Sequence, residues 1–162
     1  MNMTSERLHF RPMTHDDIPL LLEIFSDPIA MQFYPNTKSA KETAAWVNWN
    51  AILYPNLGLH LLFKKETKEF IGQCGLVPQE VASQPELEIG YLLVRKHWGY
   101  GYATEAALFW RYYAQEILNQ KRLISLIDPN NLPSQAVARR IGMHYEKTVS
   151  WHQKEHEVYA FP

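Results

Sequence analysis

Two glycines, Gly99 and Gly101, stand in the stretch Trp98-Gly99-Tyr100-Gly101-Tyr102-Ala103-Thr104. An apolar run over residues 87–94 precedes them. Ala103, Ala106, Ala107, Trp110, Ala114, Ile117 and Leu118 follow at helical spacing. The order is strand, glycine turn, helix. The first N–H groups of such a helix have no intrahelical acceptor and carry partial positive charge. Glycines let the main chain take positive φ and let a ligand approach closely. The chemistry this suits is the binding of a phosphate or diphosphate on main-chain donors. A purely structural turn has the same glycines. A P-loop would need Lys-Ser or Lys-Thr after the last glycine, where Tyr102-Ala103 stands. A dinucleotide fingerprint would need a glycine at Thr104.

Glu88 is the second candidate. It lies between Leu87 and Ile89 in the strand, so it faces away from both, and Gly90 leaves space beside it. A carboxylate part-way along a core strand is costly without a partner or a task. It is either a general base or a structural carboxylate holding a nearby turn or cation. Cys74 falls within a strand and reads as a small core residue. His152 and His156 are four apart, but in a strand that spacing builds no metal face, so no metal is assigned.

The elements that must position these residues follow in order. Leu8, Phe10 and Pro12 alternate with His9 and Arg11 as a first strand. Thr14-His15-Asp16-Asp17 starts a helix, with Pro19 in its first turn and Asp27-Pro28 at its end. Ser39-Ala40-Lys41-Glu42 is a capping box opening a second helix to Leu53, with Ala45, Trp46, Trp49 and Ile52 on one side. Residues 57–64 and 70–77 make a hairpin, 78–85 a loop, and 87–94 the strand that feeds the glycine turn. After the central helix come a strand (122–127), a short helix (134–141) stopped by Gly142, and two final strands, 143–151 and 155–161. Strands with interleaved helices predict a layered α+β or α/β domain on a mixed sheet.

Bulk composition excludes several classes. The 162 residues suit one domain, 1–162, with 46% hydrophobic and 20% charged residues. A net charge of −1 gives no basic field for nucleic acid. One cysteine excludes an internal disulfide. No apolar run is long enough for a membrane span, and the first residues lack the apolar core of a signal peptide, so a cytoplasmic location is expected.

Two strings carry a family resemblance. Glu88-Ile89-Gly90-Tyr91 followed by His97-Trp98-Gly99-Tyr100-Gly101-Tyr102-Ala103-Thr104-Glu105-Ala106 resembles motif A of the GCN5-related N-acetyltransferases, in particular their ribosomal-protein N-terminal branch. Asn131-Leu132-Pro133-Ser134 followed by Arg140-Ile141-Gly142-Met143 resembles a second segment of the same family. The resemblance runs from Arg7 to about Tyr159. It implies that family's fold: a mixed, mostly antiparallel central sheet flanked by helices and splayed between strands 4 and 5. It also implies that acetyl-coenzyme A (acetyl-CoA) binds on the glycine turn. The main-chain N–H groups of Gly99, Gly101, Tyr102, Ala103 and Thr104 would take the diphosphate, with Trp98 and Tyr100 in the same turn. Leu92, Leu93 and Val94 would bond the pantetheine arm, and the Leu93 N–H would polarise the thioester carbonyl. Asn131 would bond a pantetheine amide and Ser134 would donate to the leaving thiolate, or both only cap their helix. Many relatives carry a general-acid Tyr where this chain has Ala138. Phe33, Tyr34, Trp46 and Trp49 would wall the acceptor site, or pack in the core. Glu88 would be the base.

The expected activity is acetyl transfer from acetyl-CoA to a primary amine, by direct attack in a ternary complex. The acceptor is a protein N-terminus or a small-molecule amine. The rivals are a non-catalytic coenzyme A sensor on the same fold and a nucleotide-binding protein of another fold. Neither nucleic acid nor membrane is expected as a partner, and the chain is expected as a monomer or homodimer.

Overall fold

The computed structural model describes residues 3–161. Strand β1 (Leu8–Pro12) buries Leu8 and Phe10 and stops at the proline. Around the following turn the Thr14 N–H donates to Asp17 at 2.8 Å, and α1 (Ile18–Phe25) begins with Pro19 in its first turn. The expected capping box opens α2 (Ala40–Leu53): Ser39 N–H donates to Glu42 at 3.0 Å and Glu42 N–H to Ser39 Oγ at 3.1 Å. Then come β2 (Gly58–Lys64), β3 (Phe70–Val81) and β4 (Gln84–Leu93). Helix α3 (Tyr102–Tyr112) leaves the glycine turn and ends in a π turn, Tyr113–Ile117. β5 (Ile124–Ile127), α4 (Leu132–Arg140), β6 (His144–Trp151) and β7 (Lys154–Ala160) follow.

The strands form one sheet in the order β1-β2-β3-β4-β5-β7-β6. Every pairing is antiparallel except β4 with β5. The mixed α+β arrangement is the one read from the sequence. Helices α3 and α4 cover one face, where Ala106, Ala107, Trp110, Val137 and Ala138 meet Ile71, Cys74, Leu76 and Ile89. Helices α1 and α2 cover the other, with Leu21, Ile24, Phe25 and Val47 against Leu59, Leu61 and Val77. Among the described residues no helix is long and apolar enough to cross a membrane.

Three expectations give way. Residues 78–85 are not a loop: β3 runs to Val81, β4 starts at Gln84, and the turn is Ala82-Ser83 with φ of 49° and 62°. A two-residue turn with both φ positive is normally marked by Asn or Gly, and this one is not. Pro78 is tolerated because β2 stops pairing with β3 at Leu76, so no neighbour needs its N–H. In α2 the packing face is Thr43, Val47 and Asn50, whereas Ile52 is 81% exposed. Asn50 earns its interior place by accepting from Leu59 N–H at 2.7 Å and donating to Trp46 C=O at 3.1 Å. The π turn at the end of α3 breaks its helical spacing and leaves Ile117 49% exposed.

Two sheet glycines make opposite demands. A Cβ at Gly75 would lie 2.1 Å from Gly58 O, whereas one at Gly90 would meet only Leu59 Cδ2, at 3.5 Å. Gly75→Ala is expected to lose about 3 kcal/mol in denaturant unfolding, at the upper end of overpacking costs. Gly90→Ala should change stability by less than about 1 kcal/mol. Equal losses would contradict this placement of the two backbones.

Candidate active site

The glycine turn is built as its residues suggest. Gly99 and Gly101 have φ of 86° and 80°, in the left-handed region. Trp98 N–H donates to Arg95 C=O and Glu105 N–H to Gly101 C=O. Between them, the N–H groups of residues 99–104 have no acceptor among the described residues. Six successive main-chain donors therefore stand free at the positive end of α3. A Cβ at Gly99 would meet nothing within 4 Å, so the ground above the turn is open. The indole N–H of Trp98 donates back to Leu93 C=O at 3.1 Å, so this ring sits at the end of the β4 edge. Tyr100 is exposed and Tyr102 buried, while Ala103 and Thr104 are half-buried. Arg95 and Lys96, just upstream, pair with Asp27 at 3.0 Å and Glu69 at 3.2 Å.

From the turn, an opening runs between β4 and β5. The two strands share a single register pair, Glu88 with Ile124. Beside it, Ser125 Oγ donates to Ile89 C=O at 2.9 Å, and Leu126 N–H donates to Glu88 Oε2 at 2.9 Å. A side chain thus receives a main-chain donor of β5 next to the last ladder pair. Beyond this point β4 continues with β3 on one side only. Val94 N–H donates to Ile71 C=O, toward β3. Alternation along the ladder then turns the N–H groups of Leu93 and Tyr91 toward the opening. Leu92 is half-buried with the α1–α2 cluster, and Val94 is buried in it.

Glu88 faces the α1–α2 side, because it lies opposite Val77 of that cluster. Its second oxygen accepts from Gln79 Nε2 at 3.0 Å. Burial pushes the carboxyl up to about 7, against the Leu126 N–H and Gln79, which favour the ionised form. Tyr34, between α1 and α2, is 48% exposed. Burial and then the charge of Glu88 push that phenol up to about 12, which puts it in the field of the carboxylate. Trp46 is half-buried, its indole N–H on Gln73 Oε1 at 3.2 Å and its ring 5.1 Å from that of Trp49. Phe33 is half-buried nearby in sequence. These aromatics therefore divide between packing and the cleft rim.

On the opposite face, Asn131 Oδ1 accepts from Ser134 N–H at 3.2 Å and caps α4. Ser134 does more than cap: its hydroxyl donates to Tyr91 Oη at 3.0 Å, and the Tyr91 hydroxyl donates to Ser134 C=O at 2.8 Å. Burial holds the Tyr91 phenol above its usual range. Ala138 is fully buried in the core. Cys74 is buried on this face and burial raises its thiol, so it is not a nucleophile.

Sequence reasoning missed Gln79, Tyr91 and Ser125 as neighbours of the site. Gln79 lies in the stretch read as loop. Tyr91 stands inside the quoted motif, yet its partner is 43 residues away. Among the described residues no group of His, Cys, Asp or Glu could hold a metal ion. The arrangement offers an anion seat, an unpaired strand edge leading from it, and a carboxyl poised near neutrality beside that edge.

The chain matches the model of the Acetyltransferase (GNAT) domain over residues 7–144. It is 40% identical over 160 residues to the uncharacterized protein YkkB of Bacillus subtilis (strain 168), covering 97% of this chain and 93% of that one. The solved acetyltransferase of Agrobacterium tumefaciens str. C58 superposes with a TM-score of 0.86 at 30% identity, covering 100% of this chain and 94% of that one. A solved RimL, the ribosomal L7/L12 alpha-N-protein acetyltransferase in complex with coenzyme A, shares the fold: TM-score 0.80, 19% identity, 99% and 97% of the two chains covered. With the free donors of the glycine turn and the parted β4–β5 pair in place, this chain belongs to the GNAT acetyltransferase family.

Proposed function

We propose that this protein moves an acetyl group from acetyl-CoA to a primary amine. The observation that carries the reading is the row of six free N–H groups at 99–104, opening onto the unpaired edge of β4 with Glu88 beside it. The coenzyme A held by the RimL neighbour supports the same donor here. The diphosphate is held on the turn by main-chain donors and by the positive end of α3. The pantetheine amides continue along the open edge at Leu93 and Tyr91, as a peptide adds to a strand, with Asn131 at the far wall; the main-chain N–H groups of Leu92 and Val94, expected to share this task, face β3, and these two residues line the edge only with their side chains. The Leu93 N–H points into the opening and stabilises the thioester oxygen as it gains charge.

The acceptor enters from the α1–α2 side, past Phe33, Tyr34 and Trp46. Space at Gly90 lets the amine lie against Glu88. The carboxylate takes a proton from the ammonium, directly or through water. The amine nitrogen then attacks the thioester carbon; the C–N bond forms, the C–S bond breaks, and the thiolate leaves as Ser134 Oγ turns its one proton from Tyr91 Oη to the sulfur. The second N–H proton passes to solvent. Holding both substrates together supplies rate through positioning.

Calorimetry is expected to show acetyl-CoA binding, and an amine panel read by free-thiol release should yield acetylated products. Glu88→Gln should lower turnover by ~100-fold or more while leaving acetyl-CoA affinity within about twofold. Binding with no amine ever acetylated would reduce the protein to a coenzyme A sensor. ATP or NAD binding in place of acetyl-CoA would remove the reading altogether.

The pH dependence has a definite sign. Below about 7 Glu88 holds its proton and is no base, so turnover should rise as pH passes through about 7. That limb should vanish in Glu88→Gln. Stability runs the other way: the folded carboxyl binds its proton more tightly than the ordinary 4.5, so the contribution present below pH 4.5 is lost as pH rises to about 7. Unfolding midpoints of the wild type, compared with those of Glu88→Gln across that window, read the difference.

A further inference from the structure

Glu105 stands in the first turn of α3, where the helix dipole draws a carboxylate toward the free N–H groups. Those are the donors at 99–104, so Glu105 is a built-in competitor for any phosphate placed there. It is held away. Ser5 Oγ and Arg7 N–H both donate to Glu105 Oε1 at 2.6 Å, and Arg7 Nε donates to Oε2 at 2.6 Å. The same guanidinium reaches the turn itself: Arg7 Nη1 donates to Tyr100 C=O at 2.9 Å. In a trans peptide the C=O and the next N–H point in opposite directions. Fixing the Tyr100 carbonyl on Arg7 therefore aims the Gly101 N–H away from Arg7. The guanidinium lies over the Tyr102 ring at 4.5 Å, and its Nη2 is 3.4 Å from where a Gly101 Cβ would sit. Arg7 is itself fixed: Lys65 N–H donates to Arg7 C=O at 2.9 Å and Lys65 Nζ to Ser5 C=O at 2.8 Å.

We propose that Arg7, aided by Ser5, is a positioning residue for the donor's diphosphate: it withdraws the Glu105 carboxylate from the α3 N-terminus and sets the Tyr100–Gly101 peptide, leaving the turn's N–H groups vacant for the ligand. This rests on the reading of the turn as the diphosphate seat. Arg7 acts through Glu105 and the main chain, and this separates it from a surface ion pair that only adds stability.

The test is the dissociation constant of acetyl-CoA, measured by calorimetry on the full chain. Arg7→Ala should weaken binding roughly tenfold, the scale of one hydrogen bond to a charged group. Adding Glu105→Gln to Arg7→Ala should restore most of that loss, because the competitor's charge is gone. Arg7→Lys keeps a charge at this place but lacks the branched head that reaches Glu105 and Tyr100 together, so it should fall between wild type and Arg7→Ala. It also serves if Arg7→Ala fails to fold, as judged by its melting transition. A double variant as weak as Arg7→Ala would overturn the proposal, since Arg7 would then act by direct contact or by general stability. Wild-type affinity in Arg7→Ala or Arg7→Lys would overturn it too. If the wild type does not bind acetyl-CoA, the diphosphate reading fails first and this inference falls with it.

Discussion

The site depends on one interrupted pairing. Parallel strands normally share an evenly spaced run of hydrogen bonds. Here β4 and β5 share one register pair, and the Glu88 carboxylate and Ser125 hydroxyl take up the adjacent main-chain groups, Leu126 N–H and Ile89 C=O. Buried main-chain groups rarely go without partners. These two side chains satisfy them while letting the strands part. Were the ladder continued by main-chain bonds, the edge carrying the Leu93 N–H would be consumed by the sheet. Glu88 would lose the Leu126 N–H to that ladder.

The opening joins two sites of opposite electrical character. At its outer end the free N–H groups of residues 99–104 and the α3 dipole favour an anion. At its inner end Glu88, with the Tyr34 phenol in its field, favours a cation or a proton. The two faces of the sheet keep these groups apart. Helices α3 and α4, with Ser134 and Tyr91, flank one side. Helices α1 and α2, with Trp46, flank the side to which Glu88 points. A gap in the sheet is what brings them into reach of one another.

Much of this was legible locally. The capping box Ser39–Glu42, the positive-φ glycines and the outward turn of Glu88 each follow from a few neighbouring residues, and each is present. What escaped has two physical causes. Some local signals are overridden: Ala82 and Ser83 make a tight turn without glycine, and Asn50 is buried because its amide has two main-chain partners. Other contacts join distant residues. Arg7 with Glu105 and Tyr91 with Ser134 are 98 and 43 positions apart, and no periodicity links them. The glycine turn could be read, but the side chains that hold Glu105 and the Tyr100 carbonyl could not.

The state of Glu88 shows why the interrupted pairing matters to the chemistry as well as to the geometry. A carboxyl buried without donors would stay protonated far above neutrality and would be useless as a base. One with many charge-stabilising donors would ionise early and hold its bonds too well to take a proton. Glu88 has two neutral donors, Leu126 N–H and Gln79 Nε2, one on each oxygen. They offset part of the burial and leave the group near 7, where a base both is ionised and retains affinity for a proton. The Leu126 N–H is available only because β5 lacks a β4 main-chain partner there. The same break that leaves the β4 edge unpaired therefore also sets the proton affinity of the group beside it.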